Sequence, residues 1–107
     1  MKYILIVQPL ASADIQEHYQ YLFERSPQAA SGWLVEIHKV IAELSEFAEW
    51  HPMAPEAGEL EIPIRQLLHG RRGNKHRILY IIRKCEVHVL HVRHGKKKPL
   101  AKDDELA

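Results

Sequence analysis

The spacing of apolar side chains changes along the chain, and each change marks an element. Tyr3 to Val7 is an unbroken apolar run rich in β-branched residues and followed by Pro9, which predicts a strand covered on at least one face. From about Leu10 to Arg25 the spacing becomes helical. Ala11, Ile15, Tyr19, Leu22 and Phe23 fall on one stripe, with Asp14, Gln16, Glu17, Gln20 and Glu24 between them. Ser26-Pro27 restarts the chain, because serine can cap a helix N-terminus and proline is pre-organised at the first helical position. The stripe then runs through Ala30, Trp33, Leu34, Ile37, Ile41, Leu44, Phe47 and Ala48 until His51-Pro52 stops it, which predicts the longest helix of the chain. Two helices with so short a joint form an antiparallel hairpin.

Beyond Pro52 the period changes again. Met53 to Glu61 has no period and contains Pro55 and Gly58, so it reads as the main loop. Ile62 to Leu68 reads as a strand with Pro63 at its start or on an edge, and Gly70 to Asn74 as a turn. In His76 to Arg83, Ile78, Tyr80 and Ile82 share one face while Arg77, Leu79, Ile81 and Arg83 share the other. Lys84-Cys85 is a tight connection to Glu86 through Arg93, a further β-rich run. The order strand, helix, helix, strand, strand, strand predicts an α+β fold: a helical hairpin packed on a mainly antiparallel twisted sheet. With 107 residues the chain is read as one domain, 1–107, with a tail flexible from about residue 100.

Composition narrows the classes. Hydrophobic residues at 46% and charged ones at 27% are ordinary for a packed domain. No apolar run approaches the roughly 20 residues of a membrane span, and the N-terminal run lacks a cleavage site, so a cytoplasmic protein is expected. Cys85 is the sole cysteine, which excludes an internal disulfide and argues against a cysteine metal site. His88, His91 and His94 recur every third residue, but a regular strand puts His91 on the face opposite the other two, so no metal site is expected. His18 and His38 read as surface positions, Trp33 as core, and Tyr80 as core with a hydrogen-bonded hydroxyl. No phosphate loop, paired-carboxylate site or nucleophile elbow is present, and no cofactor is expected.

Charge alters the picture most. The net charge of +1 hides a division: Lys2, Arg25 and Lys39 face ten acids in residues 1–62, whereas residues 63–98 hold eleven cations and one acid, Glu86. The sheet half is therefore basic and the helical half acidic. Cations gathered on strand ends and turns attract phosphates or carboxylates, so an anionic partner is expected.

The element order, His76-Arg77-Ile78-Leu79-Tyr80 on one strand and Val92-Arg93-His94-Gly95 closing the next, resembles the RelE/ParE toxins of bacterial toxin–antitoxin modules. Ala11, Ala13, Asp14 and Ile15, the Pro27-Ala29-Ala30 helix start and the Pro52-Pro55 loop extend the resemblance over nearly the whole chain. It implies a growth inhibitor neutralised by a cognate antitoxin in a hetero-oligomer. Two activities are implied by the two branches of the family. ParE-like members are non-enzymatic and inhibit DNA gyrase; RelE-like members cleave mRNA on the ribosome.

Cleavage through a ribose 2′-hydroxyl needs a base, cations on the developing phosphorane and an acid for the leaving oxygen. By resemblance, Arg77 matches the arginine of the nuclease strand, Arg65 a basic residue on the strand before it, and Lys96 or Lys97 the cation after the last strand. His94 is the available acid or base. Many RelE-like nucleases carry a tyrosine or histidine near the C-terminus, and Pro99 to Ala107 has neither. The ParE-like branch is therefore favoured, with Arg65, Arg77, Arg83, Arg93, His94, Lys96, Lys97 and Lys98 as the surface for target and antitoxin. A non-toxic nucleic-acid or protein binding module is the third reading.

Overall fold

The computed structural model describes residues 2–70, 75–95, 97 and 99–101. In chain order they form β1 (Ile4–Val7), α1 (Pro9–Phe23), α2 (Pro27–Ala42), α3 (Leu44–Phe47) and a 3-10 turn (Ala48–Trp50). Then come α4 (Glu56–Leu60), β2 (Arg65–His69), β3 (His76–Arg83) and β4 (Glu86–His94). The strands lie in the order β1-β4-β3-β2; β1 runs parallel to β4 and the other pairs are antiparallel. This is the expected α+β arrangement, a helical hairpin on a mainly antiparallel sheet.

Local chemistry sets the hairpin. Pro9 ends β1 and opens α1 at its first turn, where a missing N–H costs nothing. Ser26 Oγ accepts the Ala29 N–H at 3.2 Å, and Pro27 follows at the start of α2. Ala11 and Ile15 of α1 and Ile37, Val40 and Ile41 of α2 pack with Ile78, Tyr80, Val87, Val89 and Val92 in the main core. Burial of this stripe, at about 25 cal/mol per Å² of apolar surface, is the chief term holding the layers together.

The expected long helix through Ala48 is shorter than its stripe. α2 ends at Ala42, and the stripe continues through α3 and the 3-10 turn, where carbonyls are claimed from outside the helices. Tyr3 N–H donates to Ser45 O at 2.7 Å, the Tyr80 hydroxyl to Ala48 O, and Arg65 to the Glu49 and His51 carbonyls. Apolar spacing persists through the break, so periodicity alone did not show it.

The second face of the sheet is also covered. Leu79, Ile81 and Leu90 pack with Ala54, Ile64 and Leu100 in a separate core. The segment read as a plain loop supplies part of it. Met53 bridges Arg65, Ala54 N–H donates to Ile64 O at 2.8 Å, and Gln66 N–H to Pro52 O at 3.0 Å. β2 consequently starts at Arg65, after Pro63, and not at Ile62. A register shift pairs Leu79 with His91 but Tyr80 with Val89, so Leu90 is the extra residue of a bulge and joins the second core. Where the flexible tail is expected to begin, Leu100 is 3% exposed and its N–H donates to Glu56 Oε2 at 3.1 Å; residues 102–107 lie outside the described residues.

Candidate binding surface

β3 begins and β4 ends at the same edge of the molecule, with His76 opposite His94 and Arg77 opposite Arg93. Gly95 N–H closes this end on Lys75 O at 2.7 Å. A Cβ at Gly95 would stand 3.2 Å from that oxygen, a tighter contact than most side chains tolerate, so glycine suits the approach. Lys97 follows, exposed, its N–H donating to His94 O at 3.0 Å.

The sequence-predicted cations divide into groups. Arg93, His94 and Lys97 lie at this end. Lys96 and Lys98, with Arg71 and Arg72 of the predicted turn, lie outside the described residues. Arg77 is at the same end but buried at 8% exposure. Its Nη1 donates to Glu56 Oε2 at 3.0 Å, its Nη2 to Glu56 Oε1, and its Nε to Gln66 Oε1 at 2.9 Å. Burial opposes the Glu56 charge, but the hydrogen bonds from Arg77 and the backbone hold its pKa below the usual value. Arg65 opens the edge strand β2 opposite Tyr80, its Nη1 donating to His51 O at 2.7 Å and Glu49 O at 3.3 Å. Arg83 is at the hairpin tip; strand rise puts it roughly 23 Å from the His76 end. The basic half thus presents two separate ends, with Arg65 and Arg77 held by other groups.

On the helical side of the His94 end lies a cleft of about 630 Å³ lined by His18, Tyr21, Arg25, Trp33, His76, His94 and Lys97, among others. His18 packs 4.3 Å from His76 and 4.6 Å from Trp33, and His76 packs 5.3 Å from His94, all between ring centroids. Burial, with the neighbouring His18, His94 and His69, pushes the His76 pKa down to about 4, so its ring is neutral at physiological pH. His18 is lowered too, by burial and then by His94. Both nitrogens Trp33 Nε1 and His76 Nε2 are buried, and neither has a hydrogen-bond partner among the described residues.

Sequence reasoning missed this cleft. His18 is half-buried in it, although its place beside the acidic Glu17 on a helix reads in the sequence as a surface position. Its three-residue spacing from Tyr21 on α1 was a weak signal, and the register that brings His76 beneath it has no local signature. The triplet His88, His91 and His94 separates despite the bulge. His88 contacts Gln8 at 2.8 Å and Glu86 at 2.9 Å, His91 contacts Asp14 at 2.9 Å, and His94 meets His76 edge-on. Among the described residues no group of three potential ligands is arranged to hold a metal ion. Nor is any helix there long and apolar enough to cross a membrane.

With this geometry in hand, similarity to known proteins is informative. One family, described as the ParE toxin of the type II toxin–antitoxin system parDE, matches residues 5–99. A solved structure titled "Chromosomal ParDE TA system from P. aeruginosa" superposes with a TM-score of 0.67 at 19% identity, over 87% of this chain and 96% of that one. At that identity the likeness concerns the fold. No curated protein matches the chain.

Proposed function

The chain belongs to the ParE toxin family of type II toxin–antitoxin systems, and from that premise we propose a cytoplasmic growth inhibitor, neutralised by a cognate antitoxin, that acts by binding DNA gyrase. The observation that carries the choice between binding and RNA cleavage is the state of Arg77. A cation that stabilises a phosphorane must reach the scissile phosphate. Arg77 is instead buried and committed to Glu56 and Gln66. Arg65, the second cation of the nuclease reading, is turned onto two backbone carbonyls. The strand end itself carries Arg93, His94 and Lys97, with Lys96 and Lys98 beside them in sequence, a basic stretch suited to an acidic protein segment.

Induced expression without antitoxin should arrest growth and accumulate gyrase cleavage complexes, and purified protein should inhibit supercoiling by gyrase. Ribosome-dependent breaks mapped in mRNA, with supercoiling unaffected, would reverse the assignment in favour of an endoribonuclease. Salt-dependent nucleic-acid binding without any growth arrest would point to a non-toxic module.

A further inference from the structure

The cleft beside His94 combines two features that a structural packing site does not need together. One is a wall of rings drawn from separate elements. Tyr21 and His18 of α1 are 5.8 Å apart, His18 and His76 of β3 are 4.3 Å apart, and His76 and His94 of β4 are 5.3 Å apart. Trp33 of α2 flanks His18. The other is a cation at each end of that wall. The Arg25 guanidinium lies over the Tyr21 ring, 3.7 Å from its centroid, with Nη1 donating to Tyr21 O at 2.8 Å and its exposed edge left to solvent; Lys97 lies just beyond His94 on the same lining.

Rings without cations would suit an apolar side chain; cations without rings would suit a lone anion. Single-stranded nucleic acid presents both, planar bases alternating with phosphates. We propose that this cleft binds single-stranded nucleic acid, with bases stacked on Tyr21, Trp33 and His94 and the flanking phosphates held by Arg25 and Lys97. The exposures agree with that division of labour: Tyr21 is 51% exposed, while His76 is 5% exposed and forms the floor. Glu17, the one carboxylate on the lining among the described residues, disfavours phosphate at its own position and leaves the two cationic ends as the phosphate sites. The cleft's volume of about 630 Å³ accommodates a small number of nucleotides.

The test uses full-length protein carrying Trp50→Phe, a change at an exposed side chain that leaves Trp33 as the sole tryptophan. Titration with oligothymidylate and oligouridylate should quench Trp33 saturably, more weakly as salt rises. Tyr21→Ala, Arg25→Ala and Lys97→Ala should each lower affinity by roughly tenfold, and Tyr21→Phe should restore it. Arg83→Ala, an equal loss of charge at the far end of the sheet, should leave affinity unchanged. Circular dichroism of each variant separates lost binding from lost fold. Absence of quenching at low salt would overturn the proposal, as would an Arg83→Ala effect equal to that of Arg25→Ala. So would saturation of the cleft by an acidic, phenylalanine-bearing peptide while oligonucleotides leave Trp33 unchanged. None of these readouts depends on gyrase inhibition or mRNA cleavage.

Discussion

Replacing Glu56 by alanine would strand the Arg77 guanidinium beneath the second core. The side chains of the pair are 0% and 10% exposed, so solvent cannot substitute for the lost carboxylate. Breaking a buried pair by removing one partner costs about 3–5 kcal/mol. The Leu100 N–H also loses its acceptor, worth about 1 kcal/mol. Against the roughly 5–15 kcal/mol that holds a domain together, this is a large fraction. With an m-value near 2 kcal/mol/M, the urea midpoint should fall by about 2 M. Glu56→Leu combined with Arg77→Met removes both charges and should recover most of that loss, as apolar replacement of buried pairs does. Urea unfolding of the parent, Glu56→Leu, Arg77→Met and the double variant closes the cycle. A Glu56→Ala cost below about 1 kcal/mol, or a double variant no more stable than the singles, would refute the reasoning. The double variant also tests the proposed function, since a gyrase inhibitor should retain growth arrest without Arg77 and a nuclease using it should not.

Further outcomes follow from the same contacts. Glu56 has a folded pKa below its usual 4.5, so its contribution is present above pH 4.5 and is lost as pH falls through the folded value; the acid limb of the urea midpoint should flatten in the double variant. His76 has the depressed pKa of a buried base, about 4 against 6.5, so the unfolded chain binds a proton that the folded chain does not. Stability should therefore decline from pH 6.5 toward 4, and His76→Phe should remove that slope from urea midpoints measured in pH steps. Tyr80→Phe deletes the donor to Ala48 O and should cost about 1–3 kcal/mol in thermal or urea unfolding; burial also pushes the Tyr80 pKa up to about 12, so its phenolate band should appear only when the protein unfolds. Ser26→Ala removes the α2 cap and should cost about 1 kcal/mol by the same measurement.

Where a structural decision rests on neighbours in sequence, it was legible. The Ser26-Pro27 start, the 3.6-residue stripes and the alternation in His76 to Arg83 all express local rules, and the elements they predict are present. The family, too, was legible, because its strand motifs are short contiguous runs. Legibility ended where partners are distant. The stripe through Phe47 and Ala48 runs past the end of α2 into a stretch whose carbonyls accept from the distant Tyr3, Arg65 and Tyr80. The aperiodic Met53 to Glu61 segment hides α4 and the carboxylate that neutralises Arg77.

The charge division between the halves belongs to the sequence alone, since counting requires no fold. Which cations face outward was decided by tertiary structure. Arg77 and Arg93 look alike on their strands and stand opposite each other, and nothing local to Arg77 announces that Glu56, twenty-one positions away in the chain, pairs with it in the interior. A buried guanidinium must be hydrogen-bonded and neutralised, and the residue that does so can come from any element the fold brings near. The same holds for the histidines. His18, His76 and His94 have no common spacing, and the cleft they line exists because the α1–α2 hairpin packs across the end of β3 and β4.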